Sequence, residues 1–106
     1  MNDGGFVYLI KELGDDLMHK IGVTKAKDIN TRLKKLQTGN GNKLILISSF
    51  KSSRPYKLEK MLHFHFSMNR EEGEWFLLSK DDVESFIPLC EEYEKTILAL
   101  KDNPFF

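Results

Sequence analysis

The sequence predicts an α/β fold: a small, mostly antiparallel sheet flanked by helices, in the order β-β-α-β-α-β-α. Three observations carry this reading. Residues 5–10 (GFVYLI) and 17–22 (LMHKIG) are strand-like runs on either side of a Gly14-Asp15 turn signal, which predicts an antiparallel hairpin. Three later segments repeat apolar residues at helical spacing. Two further apolar runs separate those segments, with no linker, repeat or low-complexity stretch between them, so helices and strands are expected to pack as layers of one domain spanning residues 1–106.

The elements follow in order. Ile29, Leu33 and Leu36 stand at i, i+4 and i+7 and give the first helix one apolar face. Asp28 or Asn30 can cap it, and TGNGN (38–42) closes it with residues that tolerate a left-handed backbone. KLILISSF (43–50) reads as a third strand, apolar enough to be central. Ser53 is the expected cap of a second helix, with Pro55 suited to the first turn and Leu58, Met61, Leu62, His65 and Phe66 on one face. NREEG (69–73) reads as a loop and EWFLLS (74–79) as a short strand. Ser79 with Asp82 resembles a capping box for a last helix that turns Val83, Phe86, Ile87, Cys90, Tyr93 and Ile97 inward. Pro88 predicts a kink or break in that helix just before it.

Net charge is zero, from 16 basic and 16 acidic residues, but the charge is segregated. Residues 1–70 hold 13 Lys/Arg against 6 Asp/Glu, and residues 71–106 hold 3 against 10. Within 20–60 there are 11 basic residues, with Asp28 and Glu59 the only acids. A local basic surface is what phosphate binding requires, since contact releases counterions. Lys25, Lys27, Lys34 and Lys35 are the candidate contacts to nucleic acid; a solvated lysine-rich face is the plain alternative. The single cysteine, Cys90, excludes an internal disulfide and a multi-cysteine zinc site and fits a reducing compartment. No charged leader precedes an apolar run, and no stretch approaches roughly 18 apolar residues. The expected location is intracellular, cytoplasmic or nuclear, and neither exported nor membrane-bound.

One basic residue stands out by position. Arg32 lies about 60° around the first helix from Ile29, at the edge of its apolar face, whereas Lys34 and Lys35 point into solvent. It follows Gly22 by ten residues, and Glu59 falls on the second helix. The ordered set Phe6-Val7-Tyr8, Lys20-Ile21-Gly22, Arg32, Glu59 and Glu72-Gly73-Glu74-Trp75-Phe76 resembles the GIY-YIG nuclease superfamily, in particular its short viral, phage and fungal branch. The resemblance covers about residues 5–78 and leaves an acidic helix over about 80–101. It implies a GIY-YIG-like sandwich and metal-dependent hydrolysis of a DNA phosphodiester, with Mg²⁺ or Mn²⁺ as cofactor and water as nucleophile. Arg32 then corresponds to the catalytic arginine, Glu59 to the metal-binding glutamate, and Tyr8 to the phenol that contacts the nucleophilic water.

The residue types suit that task. A phosphodiester is anionic and its transition state adds charge, so a fixed guanidinium and a divalent cation are the expected stabilisers. Arginine grips two phosphate oxygens at once, which lysine cannot do. An ordinary phenol, with pKa near roughly 10, takes a proton only if metal or arginine stabilises the phenolate. The chain departs from the family pattern twice: Lys20 replaces the tyrosine of YIG, and Leu36 stands where many members carry histidine or tyrosine. Lys20 should face the same side as Tyr8, either as a phosphate-binding cation or, with a depressed pKa, as a base. His63 follows Glu59 by one helical turn and can orient Glu59, support the metal or protonate the leaving oxygen; a plain helix-surface histidine is the alternative. His65 is expected in the core, His19 to face away from Tyr8, and Trp75 and Phe76 to close the core beneath the final helix, with stacking on a DNA base as the lesser alternative. Glu74 is either a second acid near the site or, more simply, a cap on its loop.

The rival readings are a catalytically inactive nucleic-acid-binding module on the same fold and a protein-interaction domain using the acidic helix and the terminal NPFF. No separate DNA-reading domain is evident, so sequence preference must come from DNA structure, a homodimer or a partner protein.

Overall fold

The computed structural model describes residues 4–106, and residues 1–3 of the expected domain lie outside it. The chain runs β1 (Gly5–Glu12), β2 (Met18–Thr24), α1 (Ile29–Thr38), β3 (Leu44–Ser52), α2 (Pro55–His65), a 3-10 turn (Ser67–Asn69), β4 (Arg70–Glu72), β5 (Trp75–Leu77), α3 (Lys80–Glu84) and α4 (Phe86–Ala99). The strands form one antiparallel sheet in the order β3-β1-β2-β5-β4. The α/β expectation therefore holds, with a short strand in place of the expected 69–73 loop.

Alternation along β1 divides the core in two. Val7 and Leu9 face one side with Ile21 and Phe76, where Leu58 and Leu62 of α2 and Phe86, Cys90 and Ile97 of α4 cover them. Tyr8 and Ile10 face the other side, where Ile29, Leu33 and Leu36 of α1 pack with Leu44 and Leu46. One helix thus covers one face, and the helices after β3 cover the other. Burial pushes the Cys90 thiol up to about 12, which makes it an inert core residue. Among the described residues, no helix is long and apolar enough to cross a membrane.

Turn chemistry fixes the β1–β2 hairpin. Gly14 takes φ +90°, which glycine adopts without steric cost, and Asp15 Oδ1 accepts the Leu17 and Met18 N–H groups at 3.0 Å each. Asp28 is the residue that caps α1, accepting the Asn30 N–H at 3.0 Å. The end of α1 differs from expectation, because Gly39 has φ −91° and no residue of 38–42 is left-handed. The Gln37 side chain closes the segment instead. Its amide donates to the Asn40 and Asn42 carbonyls at 3.2 and 2.9 Å and accepts the Leu44 N–H at 2.7 Å.

Four further expectations are corrected. β3 is an edge strand, not a central one; its apolar residues serve the smaller core under α1 and the flank of the larger. Ser53 does not cap α2, whose N-cap is Arg54 with no side-chain bond. Ser52 and Ser53 are bound instead by Glu94 of α4, at 2.6 Å from Ser52 Oγ and at 2.9 and 2.6 Å from the Ser53 N–H and Oγ–H. His65 is exposed and hydrogen-bonded to the Tyr93 hydroxyl at 2.9 Å, because it falls at the rim of the α2 face rather than within it. Phe76 is buried as expected, but Trp75, its neighbour in a strand, points to the α1 side. The capping box of Ser79 and Asp82 is present, and the last helix breaks at Ser85, shortly before Pro88.

Candidate active site

The site begins with a missing side chain. Tyr8 and Gly22 are direct partners across β1 and β2, and the Tyr8 ring lies over the bare Cα of Gly22. A Cβ there would meet Tyr8 Cε1 at 2.8 Å and its hydroxyl closer still, so glycine is what lets the ring lie flat. The ring is buried, and its hydroxyl accepts a long hydrogen bond from Arg32 Nε at 3.4 Å. Leu33 and Leu36 anchor α1 on the sheet, and Arg32 at the rim of that face reaches across to Tyr8. The placement of one arginine at the edge of the core is thereby accounted for.

The same register puts Lys20 opposite Ile10 on the β1 side and Trp75 on the β5 side, hence on the Tyr8 face. Its ammonium lies 3.8 Å from the Glu74 carboxylate. Glu74 closes the β2–β5 pairing, its carbonyl accepting the Ile21 N–H at 3.1 Å. Beyond that point this edge of β2 has no strand partner among the described residues. The Ile21 carbonyl accepts from His63 Nε2 of α2 at 2.9 Å, which fixes the tautomer with the proton on Nε2. Around this open edge Glu59, one turn earlier on α2, approaches the Glu74–Lys20 pair; its Oε2 lies 3.9 Å from His63 Nε2.

The structure therefore brings Tyr8, Lys20, Arg32, Glu59 and His63 into one neighbourhood and adds Glu74 to it. The sequence signal for Glu74 was its place between Gly73 and Trp75; what it lacked was the ladder position that turns the carboxylate toward Lys20. Lys25 and Lys27 line a groove with Lys51 on one side of the site, and Lys25 borders another with Arg54 and Lys57. Lys34 and Lys35 are exposed on α1.

Electrostatics separates the roles. Burial, opposed by the Arg32 hydrogen bond and charge, holds the Tyr8 phenol above its ordinary value, so this hydroxyl keeps its proton. Burial first, then the charge and hydrogen bond of Glu74, push Glu59 up to about 7, against the pull of Lys20. Two acids thus sit close together in a part-buried place with less positive charge than they need.

A divalent cation fits that deficit. Glu59 Oε2 is buried and has no hydrogen-bond partner among the described residues, and a hard cation is what an unsatisfied carboxylate oxygen binds. Among the described residues no group of three or more His, Cys, Asp or Glu could ring a metal. Such a donor set suits Mg²⁺, which keeps several waters and takes substrate oxygens, rather than a closed zinc site. His63 has committed Nε2 to the Ile21 carbonyl and lies beside Glu59.

The T5orf172 domain family matches residues 5–91, which spans every group named above. No curated protein and no solved structure matches the chain.

Proposed function

The chain belongs to the T5orf172 domain family, a nuclease-associated family, and on that premise we propose that it is a metal-dependent DNA endonuclease of the GIY-YIG type. The observation that carries this reading is the orphaned Glu59 oxygen within the cluster that holds the Tyr8–Arg32 hydrogen bond. Its buried Oε2 has no hydrogen-bond partner among the described residues, and the carboxylate's neighbour is a second acid, Glu74, which raises its pKa by charge and by a hydrogen bond.

In this reading Glu59 holds Mg²⁺ or Mn²⁺, with Glu74 alongside. When bound, the cation supplies charge stabilisation at the phosphoryl oxygens and acidifies water. Arg32 grips the non-bridging oxygens of the scissile phosphate, and its charge persists because the hydrogen bond to the Tyr8 hydroxyl raises its pKa against the opposing effect of burial. Tyr8, protonated in the free protein, orients the attacking water as a hydrogen-bond partner. Lys20, ion-paired to Glu74, acts as a cation toward phosphate rather than as the base. Lys25, Lys27, Lys34 and Lys35 carry the flanking backbone phosphates.

The alternative, an inactive nucleic-acid-binding module, draws on one specific feature, the burial of Tyr8, which raises its phenol pKa and disfavours a role as base. Incubation of purified protein with supercoiled, linear and branched DNA, in Mg²⁺, in Mn²⁺ and in EDTA, separates the two. Cleavage that requires the metal supports the nuclease. Salt-sensitive binding without cleavage in either metal selects the module.

A further inference from the structure

Trp75 is the only tryptophan of the chain, and the core does not consume it. Phe76 beside it is fully buried, while Trp75 stands half-buried on the α1 side of the sheet. It walls a groove of about 290 Å³ whose floor is Ile10, Leu36 and Leu44 and whose polar rim includes Lys20 and Lys35. Leu36 occupies the position where many members of the resembled superfamily carry histidine or tyrosine, so this floor is a property of the present chain.

We propose that this groove is a nucleobase pocket, which takes one unpaired base of the DNA next to the phosphate held by Arg32. The proposal rests on the DNA reading of the site and names its substrate class: DNA with a single-stranded or splayed segment. An aromatic face over an aliphatic floor receives a base by stacking, since every base has a π-face. Two lysines at the rim meet the phosphates on either side of that base. Lys20 belongs both to this groove and to the site, through its 3.8 Å contact with Glu74, so base and scissile phosphate are neighbours on one strand. Bases in an intact duplex are stacked on one another and must be extruded before such a pocket can take them.

The single tryptophan makes the test direct. Wild-type protein in EDTA is titrated with a short single-stranded oligothymidylate and with a blunt hairpin duplex, following Trp75 emission and the anisotropy of labelled DNA in parallel. The single strand should quench the emission over the same concentration range in which it binds, and the duplex should bind with little quenching. Trp75→Ala should weaken single-strand binding roughly 10- to 100-fold and leave duplex binding nearly unchanged, with Trp75→Phe close to wild type. Single-strand binding with unaltered emission, or equal quenching by the duplex, would overturn the pocket. If that happens while metal-dependent cleavage persists, the nuclease reading survives alone; quenching without cleavage in any metal leaves the pocket and removes the nuclease.

Discussion

Gly22 has no side chain, and the Tyr8 ring occupies the space one would need. Gly22→Ala should therefore displace the ring and its bond to Arg32, lowering stability by about 1–3 kcal/mol as overpacking does and lowering activity further than the stability loss explains. Thermal melting and cleavage assays on the same preparation check this; an active, unperturbed Gly22→Ala would mean that the ring is not held there. Arg32→Lys keeps the charge but loses the two-pronged grip, so it should lose most cleavage with its fold intact. Wild-type activity in Arg32→Lys would reduce Arg32 to a surface residue covering its neighbours. At this scale residue type and order in the sequence pointed to Tyr8, Gly22, Arg32 and Glu59, which the structure brings together. The sequence left Glu74 open between a second acid and a loop cap and placed Trp75 in the core, because the directions of both side chains depend on which strand pairs with β2.

At the scale of elements, the largest surprise is the clamp that Glu94 makes between α4 and the β3–α2 junction. Burial alone would raise this carboxylate; hydrogen bonds from Ser52 and from the Ser53 hydroxyl and N–H outweigh it and hold Glu94 below its ordinary range. Glu94→Ala should cost about 2 kcal/mol, since hydrogen bonds to a charged group are among the stronger ones. A urea titration measures this, and an unchanged midpoint would show the clamp to be idle. Because the folded pKa is depressed, its contribution is present above the unfolded value and is lost as pH falls below it. The sequence offered Ser53 as a helix cap because serine before proline usually serves that end. A partner 41 residues away in the chain cannot be read from local pattern. The hairpin, the Ser79 capping box and the break before Pro88 were legible because each depends on residues within one turn of one another.

For the whole molecule, the charge segregation visible in the sequence becomes a basic site region beside an acidic C-terminal part. If Lys25, Lys27, Lys34 and Lys35 each neutralise a phosphate, log K for duplex DNA should fall with log salt at a slope of about −3.6. Each lysine replaced by alanine should reduce the slope by about one, and a slope near zero would exclude backbone binding by this face. Global stability carries a second signature. Glu59 is raised from its ordinary 4.5 to about 7, so the folded state favours its protonated form, and the stability tied to it is complete below pH 4.5 and declines as pH rises through 7. Melting in EDTA between pH 5 and 8 should show this decline in wild type and not in Glu59→Gln. Mg²⁺ should raise the wild-type melting temperature more at pH 8 than at pH 5, because the ionised carboxylate is the form that binds it.

The central claim is that Glu59 holds the cation that makes this site hydrolytic, and Glu59→Gln tests it most directly because the amide keeps the shape and removes the charge. Cleavage of supercoiled DNA in Mg²⁺ by wild type and by Glu59→Gln is to be compared at equal DNA occupancy. The account predicts that wild type nicks the DNA while the variant binds it equally and leaves it intact. Equal cleavage by Glu59→Gln would contradict the account.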